Sequence, residues 1–165
     1  MISTLGKTAE REKVIDYAAA YSPYFQAVFA AKDMKIQSWT DLAGKSVSVV
    51  RGGMEDQELA KVVPAGVDVK RFEDNTATVA AFVAGQTQVI ATSASVAAQM
   101  LSKNPRLNAE YKLLLKDSPN YVGVAKGEDA LRAKVNSIIA EARAKGELDA
   151  LSKKWLGRPA GDLPL

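Results

Sequence analysis

The chain has 165 residues, 47% hydrophobic and 25% charged, with a net charge of +3. It has no cysteine and no histidine, which excludes disulfides, thiol nucleophiles, Ser-His-Asp triads and His-containing zinc sites. Its 22 basic residues are scattered among 19 acidic ones, so no run reads as a nucleic-acid footprint, and no segment approaches the ~20 apolar residues that span a bilayer.

The opening Met1-Ile2-Ser3-Thr4-Leu5-Gly6 has neither a basic stretch nor a long apolar run, so it does not read as a signal peptide. Tyr24 to Val28 is an extended stretch. Ser46-Val47-Ser48-Val49-Val50 is a β-branched strand ending in Gly52-Gly53, followed by a helix over roughly Met54 to Val62. Alternation marks Val67 to Phe72 as a strand. Asp74-Asn75-Thr76 offers N-caps for a helix carrying Val79, Phe82 and Val83 on one face, stopped at Gly85. Gln88 to Thr92 is a short buried strand, and Ser93 or Ser95 caps a helix with Val96, Met100 and Leu101 as apolar positions.

Tyr111 to Leu115 is a further strand, and Asp117-Ser118-Pro119-Asn120 a turn before a second extended stretch, Asn120 to Val124. Leu131, Val135, Ile138, Ile139 and Ala142 fall on one face of a helix that Gly146 breaks. Leu148, Leu151 and Trp155 form a shorter apolar face, with Trp155 read as a core anchor. Strand–helix repeats of this length imply an α/β fold with a mostly parallel sheet and helices on both faces. The section around residues 27–118 reads as a complete lobe, with the two extended stretches as crossings to residues 1–26 and 119–165.

Two features carry candidate chemistry. The guanidinium of Arg11 is planar and always charged, and matches carboxylate geometry. Gly52-Gly53, after a strand and before a helix, allows close backbone approach and turns N–H groups toward an anion; the same pair serves equally as a tight turn without ligand. Arg51-Gly52-Gly53-Met54 is no dinucleotide fingerprint, and there is no phosphate loop. Tyr17, Tyr21, Tyr24 and Phe25 could wall a pocket or pack at the crossing. The adjacent acids Glu55-Asp56 and Glu73-Asp74 point apart in regular structure and are weak candidates for acid–base work.

Two distant segments then carry a resemblance: Ser3-Thr4-Leu5-Gly6-Lys7-Thr8-Ala9-Glu10-Arg11 running into Val14-Ile15-Asp16-Tyr17, and Lys126-Gly127-Glu128 with Leu131, Val135-Asn136, Gly146 and Lys154-Trp155-Leu156-Gly157. Together they resemble the polar amino-acid solute-binding proteins of bacterial ABC importers, family 3, with the type II periplasmic-binding fold. The resemblance implies one complete lobe (27–118) and a partial second lobe (1–26 and 119–165), joined by two hinge strands. It further implies non-catalytic capture of a small carboxylate-bearing or amino-acid-like solute between lobes, a membrane permease as partner, a periplasmic location, and no cofactor or metal. If Met1 were the true start, the chain would stay cytoplasmic.

In that family the first motif lies deep inside the first lobe, so the resemblance also implies an N-terminally truncated chain that binds weakly. Val14, Ile15, Val135, Ile138, Ile139 and Trp155 would then face absent parts and favour a homodimer or higher oligomer.

The ligand-binding positions that the resemblance implies are Thr4, Gly6, Arg11, Gly52, Gly53 and Ser93. Arg11 would hold the solute carboxylate. The family usually has Thr or Ser at Gly6 and at Gly53, and an Asp for the ligand ammonium at Ser93, so three side-chain groups differ here. The alternatives are a non-binding oligomerising module and a dehydratase-like enzyme of the same fold. Cyclohexadienyl dehydratase is the known enzyme, and Glu73-Asp74-Asn75-Thr76 bears a local likeness to it. Its catalytic Glu has no counterpart in Ala94-Ser95-Val96-Ala97.

Overall fold

β-branched and apolar runs separated by short helices dictate the larger of two units. The computed structural model describes residues 1–2 and 5–164, which divide into one unit of residues 1–24 with 117–165 and another of residues 25–116. In the second, the strands β2 (Phe25–Ala31), β3 (Ser46–Val50), β4 (Asp68–Phe72), β5 (Val89–Ser93) and β6 (Ala109–Asp117) form a sheet of order β4-β3-β5-β2-β6. β3 runs parallel to β4 and β5, whereas β2 is antiparallel to β5, pairing Gln26 with Ser93 and Val28 with Ala91. The sheet is therefore mixed. The stretch Tyr24 to Val28, expected as a crossing outside the lobe, is instead mostly an interior strand, because its apolar run can be buried on both faces.

Alternation places Val28, Ala30, Val47, Val49, Val89 and Ala91 in one apolar cluster, into which α2 (Met54–Val62) inserts Leu59. Leu59 is only 1% exposed, and its truncation to Ala costs about 2–5 kcal/mol. α3 (Asn75–Val83) is capped by Asp74, whose carboxylate accepts from the N–H of Ala77 at 2.8 Å. It buries Phe82 as expected, but with Thr78 and Ala81 in place of Val79 and Val83. The Thr78 hydroxyl can enter the core because it donates to the Asp74 carbonyl at 2.7 Å. α4 (Ala94–Lys103) likewise buries Ala94, Ala97 and Met100, the two alanines permitting close approach to the sheet.

The other unit is built on an antiparallel pair, β1 (Ile15–Ser22) with β7 (Asn120–Ala125). Asn120 to Val124 thus belongs to a sheet of its own unit. Gly123 in β7 has no room for a side chain: a Cβ there would lie 2.9 Å from Leu5 Cδ2 and 3.1 Å from Ile15 Cδ1.

α5 (Asp129–Ala144) lays Val135 and Ile139 on Ala18, Ala19 and Val122. The Ala19 N–H donates to Asn136 Oδ1 at 2.7 Å, fixing the helix on the strand. α6 (Glu147–Leu156) adds Leu148, and the tail brings Ala160 and Leu163 against Ala20 and Tyr121.

The single apolar face expected on the α5 segment is split. Its Val135–Ile139 edge is covered by the strand pair, whereas Leu131 and Ile138 remain exposed. Ile139 is buried, Ile15 and Val135 are half-buried, and Val14 is exposed. Trp155 is not a core anchor but 63% exposed, with Lys154 Nζ 4.9 Å from its ring centroid.

Candidate functional site

The first cluster is built by a single helical turn, α1 (Ala9–Glu12), which starts where the Thr8 hydroxyl accepts from the N–H of Arg11 at 3.3 Å. Arg11 Nη1 reaches back and donates to the Gly6 carbonyl at 2.9 Å. The Tyr17 hydroxyl, from β1, donates to the same carbonyl at 3.2 Å. Tyr17 also meets Tyr121 edge to face, with centroids 5.6 Å apart. The other cations of this turn are matched: Lys7 pairs with Glu12 at 3.1 Å and Lys13 with Glu10 at 2.7 Å. Among the described residues Arg11 has no carboxylate partner. Among the described residues nothing lies within 4 Å of where a Cβ on Gly6 would stand. Thr4 lies outside the described residues.

The two segments that carried the resemblance meet in this unit. The Asp16 carboxylate accepts from Lys126 Nζ at 2.7 Å and from the Gly127 N–H at 3.0 Å. These bonds hold its pKa below the usual carboxylate range, against a weaker opposing effect of desolvation.

The second cluster sits at the end of β3. Gly52 adopts φ +67°, a left-handed conformation that favours glycine. Its N–H does not stand free, as the sequence suggested, but donates to Asp56 Oδ2 at 3.0 Å. The Gly53 N–H donates to the Val50 carbonyl at 3.2 Å. A carboxylate of the chain therefore occupies the glycine turn from within. Asp56 also receives Arg71 Nε at 3.0 Å on both oxygens. Burial works to raise the Asp56 pKa, but the bonds from Arg71 and Gly52 outweigh it and hold the carboxyl below its ordinary range. Next to it, Glu55 goes the other way, pushed up by burial despite a bond from its own N–H.

Ser93 closes β5 and caps α4, its hydroxyl accepting from the Val96 N–H at 3.4 Å and lying 3.3 Å from Ser95 Oγ. Opposite it on β2 is Gln26, only 4% exposed, whose Oε1 has no hydrogen-bond partner among the described residues. Sequence reading missed both Gln26 and the Asp56–Arg71 lock. The available signal for Gln26 was one polar residue inside Phe25-Gln26-Ala27-Val28-Phe29.

Of the sequence-predicted residues, Gly6 and Arg11 are joined by a hydrogen bond in one unit, while Gly52, Gly53 and Ser93 lie at strand ends in the other. None of these three lines the groove of about 460 Å³ between α3 and α4, which is walled by Val79, Val83, Val96 and Met100. Among the described residues no group of three or more His, Cys, Asp or Glu could hold a metal ion. No helix among them is long and apolar enough to cross a membrane.

Comparisons with known proteins bear on the fold and the family. The chain is 27% identical over 157 residues to the ABC transporter glutamine-binding protein GlnH of Bacillus subtilis, covering 94% of this chain and 57% of that protein. The second substrate-binding domain of GlnP from Lactococcus lactis, in its open conformation, superposes with a TM-score of 0.78 at 26% identity, over 96% of this chain and 69% of that one. The unliganded L-cystine solute receptor of Neisseria gonorrhoeae has a TM-score of 0.82 at 19% identity, over 96% and 68%; that likeness establishes the fold, the type II periplasmic-binding architecture. The chain spans less than two thirds of the length of the curated relatives it matches. The model of the bacterial extracellular solute-binding proteins, family 3, matches residues 1–158, and the chain belongs to that family.

Proposed function

We propose that this chain captures a small amino-acid-like or carboxylate-bearing solute, without catalysis, for delivery to the permease of an ABC importer in the periplasm. The observation that carries this reading is Arg11. Its guanidinium is steadied by a neutral carbonyl, and among the described residues no carboxylate matches its charge, while Lys7 and Lys13 are both paired. Such a group presents a planar fork of donors to a carboxylate at little cost in reorganisation. Residues 27–118 correspond in this reading to a complete lobe and residues 1–26 with 119–165 to part of the other. The 165 residues by themselves bind weakly, because they match 57% of the Bacillus relative and offer fewer groups to enclose a ligand.

Calorimetric titration with a panel of L-amino acids and simple carboxylates tests the reading. Arg11→Ala should weaken the best ligand by about 10–100-fold, the worth of a charge-assisted hydrogen bond. Equal affinity and equal ligand-induced stabilisation in both proteins would refute it.

A second reading, an oligomerising module, draws on the large apolar side chains of Val14, Ile138, Leu151 and Trp155, each more than half exposed. Apolar surface of this kind favours association with a second copy. Light scattering at high micromolar concentration should show a dimer or larger; a clean monomer sinks this reading.

A further inference from the structure

The helices of the larger unit turn their smallest side chains to the sheet. α3 buries Thr78 and Ala81 beside Phe82, and α4 buries Ala94 and Ala97 beside Met100. Val79 and Val83 of α3 and Val96 of α4 are left to wall the groove between the two helices, which Met100, 2% exposed, also lines. Its volume is about 460 Å³, within the range of about 300–1,000 Å³ of small-molecule sites. Past the helix ends lies a second hollow of about 420 Å³, and Val83, Lys103 and Asn104 line both.

The apolar walls end in positive charge. Lys103 and Arg106 line the second hollow and are both exposed. Lys70, Lys112 and Lys116 of the same unit each pair with a carboxylate, whereas Lys103 and Arg106 have no carboxylate partner among the described residues. Among those residues, no acidic side chain lines either hollow. α3 ends at Val83 and α4 at Lys103, and each helix end carries about half a negative charge. Two full cations against two such ends leave about one positive charge. That balance suits a monoanion better than a phosphate, which carries about −1.5 to −2.

We propose that the groove binds a free aliphatic monocarboxylate, its alkyl chain along Val79, Val83, Val96 and Met100 and its carboxylate at Lys103 and Arg106. Apolar walls gain from burying methylenes, and the guanidinium fork of Arg106 fits a carboxylate. The site lies within one unit, whereas Arg11 belongs to the other. The inference therefore goes beyond the solute-capture reading and does not depend on it.

Calorimetric titration of the intact chain with hexanoate, octanoate, decanoate and octylammonium tests it. Affinity should rise about fourfold for each two added methylenes, roughly half the full burial value, because an open groove covers one side of the chain. Octanoate should bind about tenfold more tightly than octylammonium, each exposed ion pair being worth at most about fivefold. Lys103→Glu combined with Arg106→Glu should reverse that preference and leave the melting temperature nearly unchanged, since both side chains are exposed. Methyl resonances of Val79, Val83, Val96 and Met100 should shift on adding octanoate, in wild type and in Arg11→Ala alike. No octanoate binding, affinity independent of chain length, or an unchanged preference in the double variant overturns the inference and leaves solute capture standing. Octanoate binding that Arg11→Ala abolishes also overturns it, and assigns the carboxylate to Arg11 instead.

Discussion

Asp56→Asn probes how the glycine turn is held. The Asp56 carboxylate is 11% exposed, receives Arg71 Nε on both oxygens and takes the Gly52 N–H. Asparagine keeps an oxygen for Gly52 but makes that bond neutral, a loss of about 1 kcal/mol. The ion pair with Arg71 is also lost. Because Arg71 is 44% exposed, solvent screening limits that part to about 1 kcal/mol.

The sum, about 2 kcal/mol, corresponds to a urea midpoint lower by about 1 M at neutral pH. The acid limb supplies a second readout. Folding holds the Asp56 pKa below its unfolded value. Its contribution is therefore fully present above the unfolded value of about 3.9 and is lost as pH falls through the lower folded one. The wild-type and variant curves should converge there. Equal urea midpoints at pH 7, with parallel acid limbs, would show that this carboxylate does not lock the turn.

The neighbouring Glu55 should behave in the opposite sense. Burial raises its pKa, so ionised Glu55 costs stability above the folded value and the cost disappears on acidification; Glu55→Gln should melt higher than wild type at pH 7, with the gap closing as pH is lowered. Gly123→Ala puts a Cβ 2.9 Å from Leu5 Cδ2; since the clash meets side-chain ends, chemical denaturation should show a loss of about 1 kcal/mol, at the low end of overpacking costs. Leu5 adjoins Gly6, so the same variant should weaken carboxylate binding, and calorimetry would detect unaltered binding if it does not. Gly6→Ser meets none of the described residues within 4 Å of its Cβ and should change stability by less than about 0.5 kcal/mol. Its hydroxyl beside Arg11 should tighten binding of simple carboxylates, and unchanged affinity would remove Gly6 from the site.

Much of this protein is legible in its residues. The β-branched run Ser46 to Val50, the caps Asp74 and Ser93, and the break at Gly146 are local signals, and each appears where local chemistry places it. The family, too, is carried by short motifs, because Asp16 and the Lys126-Gly127 pair are needed to tie two distant strands together. What the chain alone did not decide is which partner each group meets. Periodicity marks an apolar stripe on α5 but not how much of it a two-stranded sheet can cover, so Ile139 is buried and Ile138 is not. Composition calls Trp155 a core residue, yet burial depends on what packs beside it. The Gly52 N–H was read as a free donor because its occupant, the carboxylate of Asp56, is oriented by Arg71 fifteen residues further on. That Gln26 stands opposite Ser93 is decided by the antiparallel pairing of β2 with β5. Hydrogen bonds and burial across strands depend on register and topology, and those are properties of the assembled sheet.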